Sequence, residues 1–210
     1  MTIHLAKILT PLMSSRNYKA GETLTPDLAK SGCVFLVSEG AVVVEFVSIT
    51  TDKDRRIGTL FTDKGFLGLE NLFLQRPDAK AQATVLRDST ILSMPTSAVL
   101  ELLDNGAQST KLCIEVSTAL AEATYGLRHR LEALALHANY PKENVFSILR
   151  YLGKHLGISN GKGGITIPVK VGTLATLTGL SEESTRRAIS LLVEEQRVAK
   201  IGKGNFLIFA

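Results

Sequence analysis

The sequence has few of the residues on which several cofactor classes depend. Among 210 residues it holds two cysteines, four histidines and no tryptophan. Cys33 and Cys113 are far apart in the chain, and two thiolates cannot supply the four that an iron–sulfur cluster needs. An Fe–S cofactor is therefore excluded. We expect two reduced thiols, with Cys113 buried; an intersubunit disulfide through Cys113 is the alternative.

Histidine is too sparse for a metalloenzyme of the cupin type, which needs clustered histidine and carboxylate ligands. His4 is the only histidine before His129. We therefore expect no metal site and no enzymatic activity. A haem cofactor is the one metal-containing alternative that the sequence leaves, because His129 or His137 could offer an axial nitrogen. The alternative is that both are exposed helix residues.

Long apolar runs are also missing. No stretch approaches the roughly 18 apolar residues of a membrane span, and the N-terminal segment lacks the apolar core of a signal peptide. These absences predict a soluble, cytoplasmic protein with no membrane partner. The net charge is +4, yet residues 141–210 alone hold ten Lys or Arg and five Glu. Such a basic segment is expected to contact phosphate.

The hydrophobic pattern divides the chain into three parts. From Tyr18 to Pro95 apolar residues alternate with period two, and we expect chain reversals or breaks at residues 38–40 and 87–89. Short strands at this spacing predict an antiparallel β-roll or jelly roll. The predicted α+β organisation is a β-roll domain at residues 1–107, a long helix at 108–138 and a winged helix-turn-helix domain at 139–210.

The middle part reads as one long helix with an apolar stripe at three- and four-residue steps. Such a stripe is sufficient for a two-stranded coiled coil in a homodimer. The alternative is a helix that packs only on its own β-roll. The stripe residues are Val116, Leu120, Ala123, Leu127, Leu131 and Leu134.

Residues 174–192 predict a helix, a tight turn at Gly179 and a second helix that Ser181 caps. The inward face of the second helix is apolar, whereas Glu183, Arg186 and Arg187 fall outside. Arginine reads guanine bidentately and a carboxylate accepts from cytosine, so these residue types suit a recognition helix in the major groove. The alternative is a ligand-binding or dimerisation module whose helix-turn-helix contacts protein rather than DNA.

A β-hairpin is predicted after the second helix, with strands at residues 198–201 and 206–209 and a glycine-rich tip that carries Lys203. Several segments, spread over nearly the whole chain, resemble the CRP/FNR family of bacterial transcription regulators. They are YKAGETL, VFLVSEGAVVVE, GLENLF, LATLTGLSEESTRRAISLLVEE and the Gly202-Lys203-Gly204 wing. The resemblance implies a homodimer that binds an inverted repeat in double-stranded DNA, with RNA polymerase as a further partner.

The resemblance also implies roles for single residues. Glu183 and Arg187 match the positions that contact base edges, and Arg186 could add a base or phosphate contact. Ser181 and Ser184 match phosphate-contacting positions. The wing residue Lys203 is expected to contact phosphate as well.

The effector site departs from the family pattern. Cyclic-nucleotide members carry Gly-Glu and then, about ten residues on, Arg-Ser. Here Leu69 takes the Glu position and Ala79-Lys80 stand in place of Arg-Ser. Lysine lacks the bidentate fork of arginine. cAMP and cGMP are therefore not expected, and the effector is a different molecule or absent. The pocket candidates are Gly68, Leu69, Glu70, Arg76, Lys80, His129 and Arg130.

Overall fold

The computed structural model of the protein describes residues 3–47, 56–74, 80–105, 109–136, 140–159, 164–202 and 204–209. Within these ranges it describes the backbone only at residues 3, 47, 56, 105, 127, 129–131 and 133–136. Helices and two antiparallel sheets are present, which confirms the predicted α+β class. The chain forms two compact units: Met1–Ile49 with Leu60–His129, and Thr50–Thr59 with Arg130–Ala210.

The N-terminal sheet is the predicted β-roll. Its strand order is β1-β6-β3-β4, with β2 also paired to β6 and β5 to β3. A 3₁₀ turn follows α1 and another follows β5. The elements up to residue 136 are α1 (Ile3–Leu9), β1 (Ser14–Tyr18), β2 (Thr23–Thr25), β3 (Cys33–Val47), β4 (Arg56–Thr62), β5 (Phe66–Leu67), β6 (Lys80–Pro95), α2 (Thr96–Asn105) and α3 (Ser109–Leu136).

The two longest strands correct the sequence-based prediction. β3 and β6 are each continuous, and they pair antiparallel from Cys33 opposite Pro95 to Val47 opposite Lys80. The predicted reversal at residues 38–40 and the predicted break at residues 87–89 were therefore wrong. The segment around Gly40 has the composition of a hairpin turn but forms an irregularity inside a long strand.

Gly40 causes this irregularity, because the β3–β6 register shifts between Val37 and Val42. Gly40 has a φ of 110°, and a Cβ built on it would lie 2.0 Å from the Ser89 Oγ. Only glycine tolerates both the positive φ and this close approach. The Gly40 N–H donates to Asp63 Oδ1 (2.9 Å), and the Ala41 N–H donates to Ser89 Oγ (3.0 Å). The bulge is thus held by hydrogen bonds to side chains on either side of it.

Two apolar clusters form the core of the first unit. One lies inside the roll and includes Val42, Val44 and Val85. The other joins β3 to the helices through Leu5 and Leu9 of α1, and also through Val99 of α2 and Leu112, Val116 and Ala119 of α3. The first third of α3 therefore packs on the β-roll of its own chain.

The second unit has the predicted winged helix-turn-helix organisation. Its four-stranded sheet has the order β7-β8-β10-β9. Its buried apolar residues come from all three helices and from the sheet, among them Leu149, Leu174, Ile189, Ile167 and Phe206. The elements are α4 (Pro141–Leu156), β7 (Ile158–Ser159), β8 (Gly164–Pro168), α5 (Val171–Thr178), α6 (Glu182–Glu194), β9 (Val198–Lys200) and β10 (Asn205–Phe209).

Candidate nucleic-acid interface

The turn between α5 and α6 is fixed by one glycine and one buried threonine. Gly179 ends α5 with a φ of 70°, as the sequence predicted. The buried Thr178 donates its hydroxyl to the Leu174 carbonyl (2.8 Å), and its own carbonyl accepts from Asn144 Nδ2 of α4 (3.2 Å). Because these polar groups are buried and paired, the angle between α5 and α6 is tied to α4.

Ser181 caps α6, as predicted. Its Oγ accepts the Ser184 N–H (3.1 Å) and donates to the Ser184 Oγ (2.9 Å). Its carbonyl accepts the hydroxyl of the fully buried Thr185 (2.9 Å). The first turn of α6 also carries Glu182 and Glu183, whose carboxylates suit the positive end of the helix dipole. The start of the helix is thereby fixed in position.

The inner face of α6 is buried through the predicted residues Thr185, Ala188, Ile189 and Leu192. The outer face carries two parallel ion pairs at four-residue spacing. Arg186 Nη2 lies 2.8 Å from Glu182 Oε2, and Arg187 pairs with Glu183 in the same way.

The side chains of these pairs are between 56% and 78% exposed. Exposed pairs of this kind contribute only about 0.3–0.5 kcal/mol. Each arginine can therefore leave its glutamate for a stronger acceptor at small cost.

A groove of about 570 Å³ runs beside this face. Ser184, Arg187 and Leu191 line it from α6, and Tyr140 and Lys142 line it from the start of α4. Glu143 and Glu195 also line it, and Lys142 pairs with Glu195. Ser184 and Arg187 are therefore the groove residues of the types that contact a DNA backbone.

A second network joins α4 to the connection between α6 and β9. Arg197 donates two hydrogen bonds to the Glu143 carboxylate (2.7 and 3.0 Å), and its guanidinium lies 3.9 Å from the centre of the Phe146 ring. Glu195 accepts from Lys142 and from Arg197, and these hydrogen bonds hold the pKa of Glu195 below its ordinary value of 4.5. Hydrogen bonding to Glu143 raises the pKa of Arg197.

This network was not predicted from the sequence. Its members are spread over more than 50 positions, and the only signal was an unusual density of charge at residues 142–143 and 194–197.

The wing follows α6 as predicted. β9 and β10 pair antiparallel, with Phe206 opposite Lys200 and Ile208 opposite Val198. Gly202 and Gly204 have φ values of 67° and 78°, and the Gly204 carbonyl accepts the Val169 N–H (2.9 Å). Lys203 lies outside the described residues.

The effector-pocket candidates fall into different environments. Gly68 has a φ of 78°, and a Cβ built on it would lie 2.8 Å from the Cys33 carbonyl oxygen. Leu69 is buried in the core cluster that joins β3 to the helices. Glu70 and Lys80 are exposed. Arg76 lies outside the described residues, as do the side chains of His129 and Arg130. The position that holds a carboxylate in cyclic-nucleotide members is thus occupied by a core leucine.

The dimer stripe on α3 is described only in its first half. Val116 lies in the core of its own unit, so its side chain is not available to a second chain. Leu120 is half-buried against the same core, and Ala123 is exposed. The side chains of Leu127, Leu131 and Leu134 lie outside the described residues.

Cys113 corrects a further expectation, because it is exposed rather than buried. Leu112 and Val116 lie on the side of α3 that faces the core, whereas Cys113 lies outside that buried side.

Within the described ranges, no group of three or more His, Cys, Asp or Glu side chains is placed to hold a metal ion. None of the helices described is both long and apolar enough to cross a membrane.

The comparisons with known proteins agree with this architecture. Residues 15–105 match the cyclic nucleotide-binding domain family. A comparison with curated protein sequences gave no match.

Among solved structures, the chain is similar to CLP of Xanthomonas campestris, described as a c-di-GMP-responsive global regulator. The TM-score is 0.78 at 18% identity, covering 100% of this chain and 98% of CLP.

It is also similar to TTHA1359, a CRP/FNR-family transcriptional regulator of Thermus thermophilus, with a TM-score of 0.67 and 21% identity over 94% of each chain. FixK2 of Bradyrhizobium japonicum gives a TM-score of 0.66 and 17% identity, covering 93% of this chain and 92% of that one. These similarities confirm, at the level of the fold, the resemblance that the sequence motifs indicated.

Proposed function

We propose that this chain, which has the fold of the CRP/FNR-family regulators, is a sequence-specific DNA-binding transcription regulator of that type. The observation that carries the proposal is the outer face of α6. A capped helix, seated on a buried inner face, presents two arginines and two glutamates in parallel pairs directly before a β-hairpin wing. The fold is shared with transcriptional regulators, and this similarity favours a regulatory function over an enzymatic one.

The proposed roles on α6 rest on the resemblance to the family and on the exposure of its outer face. Glu183 and Arg187 form the more exposed of the two pairs and match the positions that contact base edges in the CRP/FNR family, so they would read base edges. Arg186, in the pair beside them, would add a base or phosphate contact. Ser181 uses its Oγ in the cap, where it accepts the Ser184 N–H, whereas the Ser184 side chain lines the groove beside α6. Ser184 is therefore the better phosphate donor of the two. Lys203 on the wing would contact phosphate.

A homodimer on an inverted repeat is the proposed assembly, since two-fold symmetry matches two half-sites about 34 Å apart. Val116 packs in the core of its own unit, so the dimer contact is proposed for the later stripe residues. These are Ala123, which is exposed, and Leu127, Leu131 and Leu134.

The proposed effector is not cAMP, or no effector exists. Replacement of the cassette carboxylate by the buried Leu69 removes a ribose acceptor and supports this proposal. Lys80 is exposed and would attract an anionic molecule, whereas the exposed Glu70 would accept a hydrogen bond from a hydroxyl or amine of that molecule. Cyclic di-GMP, named for CLP, is the first molecule to test. A regulator of this type acts in the cytoplasm and contacts RNA polymerase at its promoters.

The test compares Arg187→Ala with Arg16→Ala, which removes an exposed arginine from the first unit. On a duplex recovered by selection from random DNA, Arg187→Ala should weaken binding by about 1–3 kcal/mol and relax the sequence preference at one base pair. Arg16→Ala should leave binding unchanged. The wild-type affinity should fall steeply with salt, because phosphate contacts release counterions. If Arg187→Ala has no effect on any duplex, or affinity is independent of salt, the helix-turn-helix contacts protein instead.

A further inference from the structure

A second groove, of about 920 Å³, lies on the outward face of α4 in the second unit. Residues of α4 at three- and four-residue spacing line one wall, and the ends of β8 and β10 line the other. None of its lining residues belongs to α6. The groove is therefore separate from the outer face of α6, although Glu143 lines both this groove and the one beside α6.

The charge of the groove is positive. Arg150 and Lys154 lie one helical turn apart on α4, and both are exposed. Among the described residues, neither forms an ion pair. Like charges at this spacing repel each other on a helix, so the pair does not contribute to the stability of the fold. Among the described residues that line the groove, Glu143 is the only carboxylate, and Arg197 holds it with two hydrogen bonds.

Aromatic side chains are interleaved with these cations. Tyr151 is 45% exposed and Phe209 is 47% exposed. The Tyr151 ring also packs against the His155 ring, with 4.6 Å between centroids. Phe146 lines the groove too and stacks against the guanidinium of Arg197. A duplex backbone offers phosphate to the two cations but no apolar group to cover the rings. A peptide offers both carboxylates and apolar side chains.

From this charge complementarity and the exposed rings, we propose that the groove docks an acidic peptide segment of a partner protein. Carboxylates of the segment pair with Arg150 and Lys154, and an apolar side chain covers Tyr151 and Phe209. The site would let a partner engage the winged-helix unit while α6 is occupied. It goes beyond the DNA-binding function and does not depend on it.

The experiment selects random dodecapeptides displayed on phage with the immobilised full chain, after depletion on the R150E/K154E variant. The recovered peptides should be enriched in Asp, Glu and apolar residues. A synthetic recovered peptide, measured by fluorescence anisotropy, should bind the R150E/K154E chain at least about tenfold more weakly than wild type. K7E/K111E, which changes net charge equally at two exposed lysines of the first unit, should bind as wild type does.

Circular dichroism should show that both variants are folded, and R150A/K154A provides a milder variant if charge reversal disrupts α4. Peptides with no acidic excess, or an equal loss in K7E/K111E, would overturn the proposal. A loss of DNA affinity in R150A/K154A with no change in peptide binding would also overturn it, and would make the groove a phosphate contact. Failure of wild-type DNA binding with intact peptide capture would contradict the proposed function alone.

Discussion

Arg197 should stabilise the winged-helix unit by more than an ordinary surface charge does. Its two hydrogen bonds to Glu143 form a bidentate pair, and its guanidinium stacks on Phe146. The two side chains of the pair are 31% and 40% exposed, so solvent screens the interaction in part. We assign about 1 kcal/mol to the partly screened pair and about 0.5–1 kcal/mol to the ring contact.

Arg197→Ala should therefore lower the free energy of unfolding by about 1.5–2 kcal/mol, or the Tm by roughly 3–8 °C. The chain has no tryptophan, so urea unfolding is best followed by far-UV circular dichroism. Amide hydrogen exchange would localise the effect, with faster exchange in α4 and β9 and unchanged exchange in the β-roll.

Arg197→Lys is the matched control because it keeps the charge and loses the fork. It should recover less than half of the loss. A double-mutant cycle with Phe146→Leu should give a coupling of about 0.5–1 kcal/mol. A cost of less than about 0.5 kcal/mol for Arg197→Ala, the value expected of a solvated pair, would refute this assignment. An Arg197→Lys variant as stable as wild type would refute it as well.

Two further predictions concern the β-roll. Gly40→Ala should destabilise the chain by about 2–4 kcal/mol more than Gly21→Ala does. Both glycines have positive φ, but only Gly40 lies against Ser89. Equal urea midpoints for the two variants would contradict this. The Lys19 ammonium and the Ala20 N–H hold the pKa of Asp88 below its ordinary 3.8. The stabilisation by ionised Asp88 is therefore complete above pH 3.8 and is lost as pH falls through the folded-state pKa. In urea titrations, the stability advantage of wild type over Asp88→Asn should shrink on acidification below about pH 4. A difference that does not change with pH would contradict the pairing of Asp88 with Lys19.

The second unit could be predicted from sequence in most of its parts because its signals are local. Gly179 as the turn residue, Ser181 as the cap and the buried face of α6 depend on neighbours within four positions. Spacing alone therefore specified them. The hairpin after α6 was predictable for the same reason.

The β-roll was predicted as a class but not in its connections. The segment around Gly40 carries the composition of a turn, and only pairing with β6 keeps it inside a strand. That pairing, like the contact of Arg197 with Glu143, joins residues about 50 positions apart. One sequence gives no local indication of such partners. The burial of Val116 in its own unit could not be predicted for the same reason, because an apolar stripe on a helix does not indicate which surface covers it.

DNA reading by the outer face of α6 is tested most directly by selection of fragments from random duplex DNA. The purified full chain would be used at moderate salt, with and without cyclic di-GMP. We predict recovery of an inverted repeat whose half-sites are about one helical turn apart, and loss of one preferred base pair from that repeat when Arg187→Ala is used. Recovery of no sequence preference under either condition would contradict the proposed function.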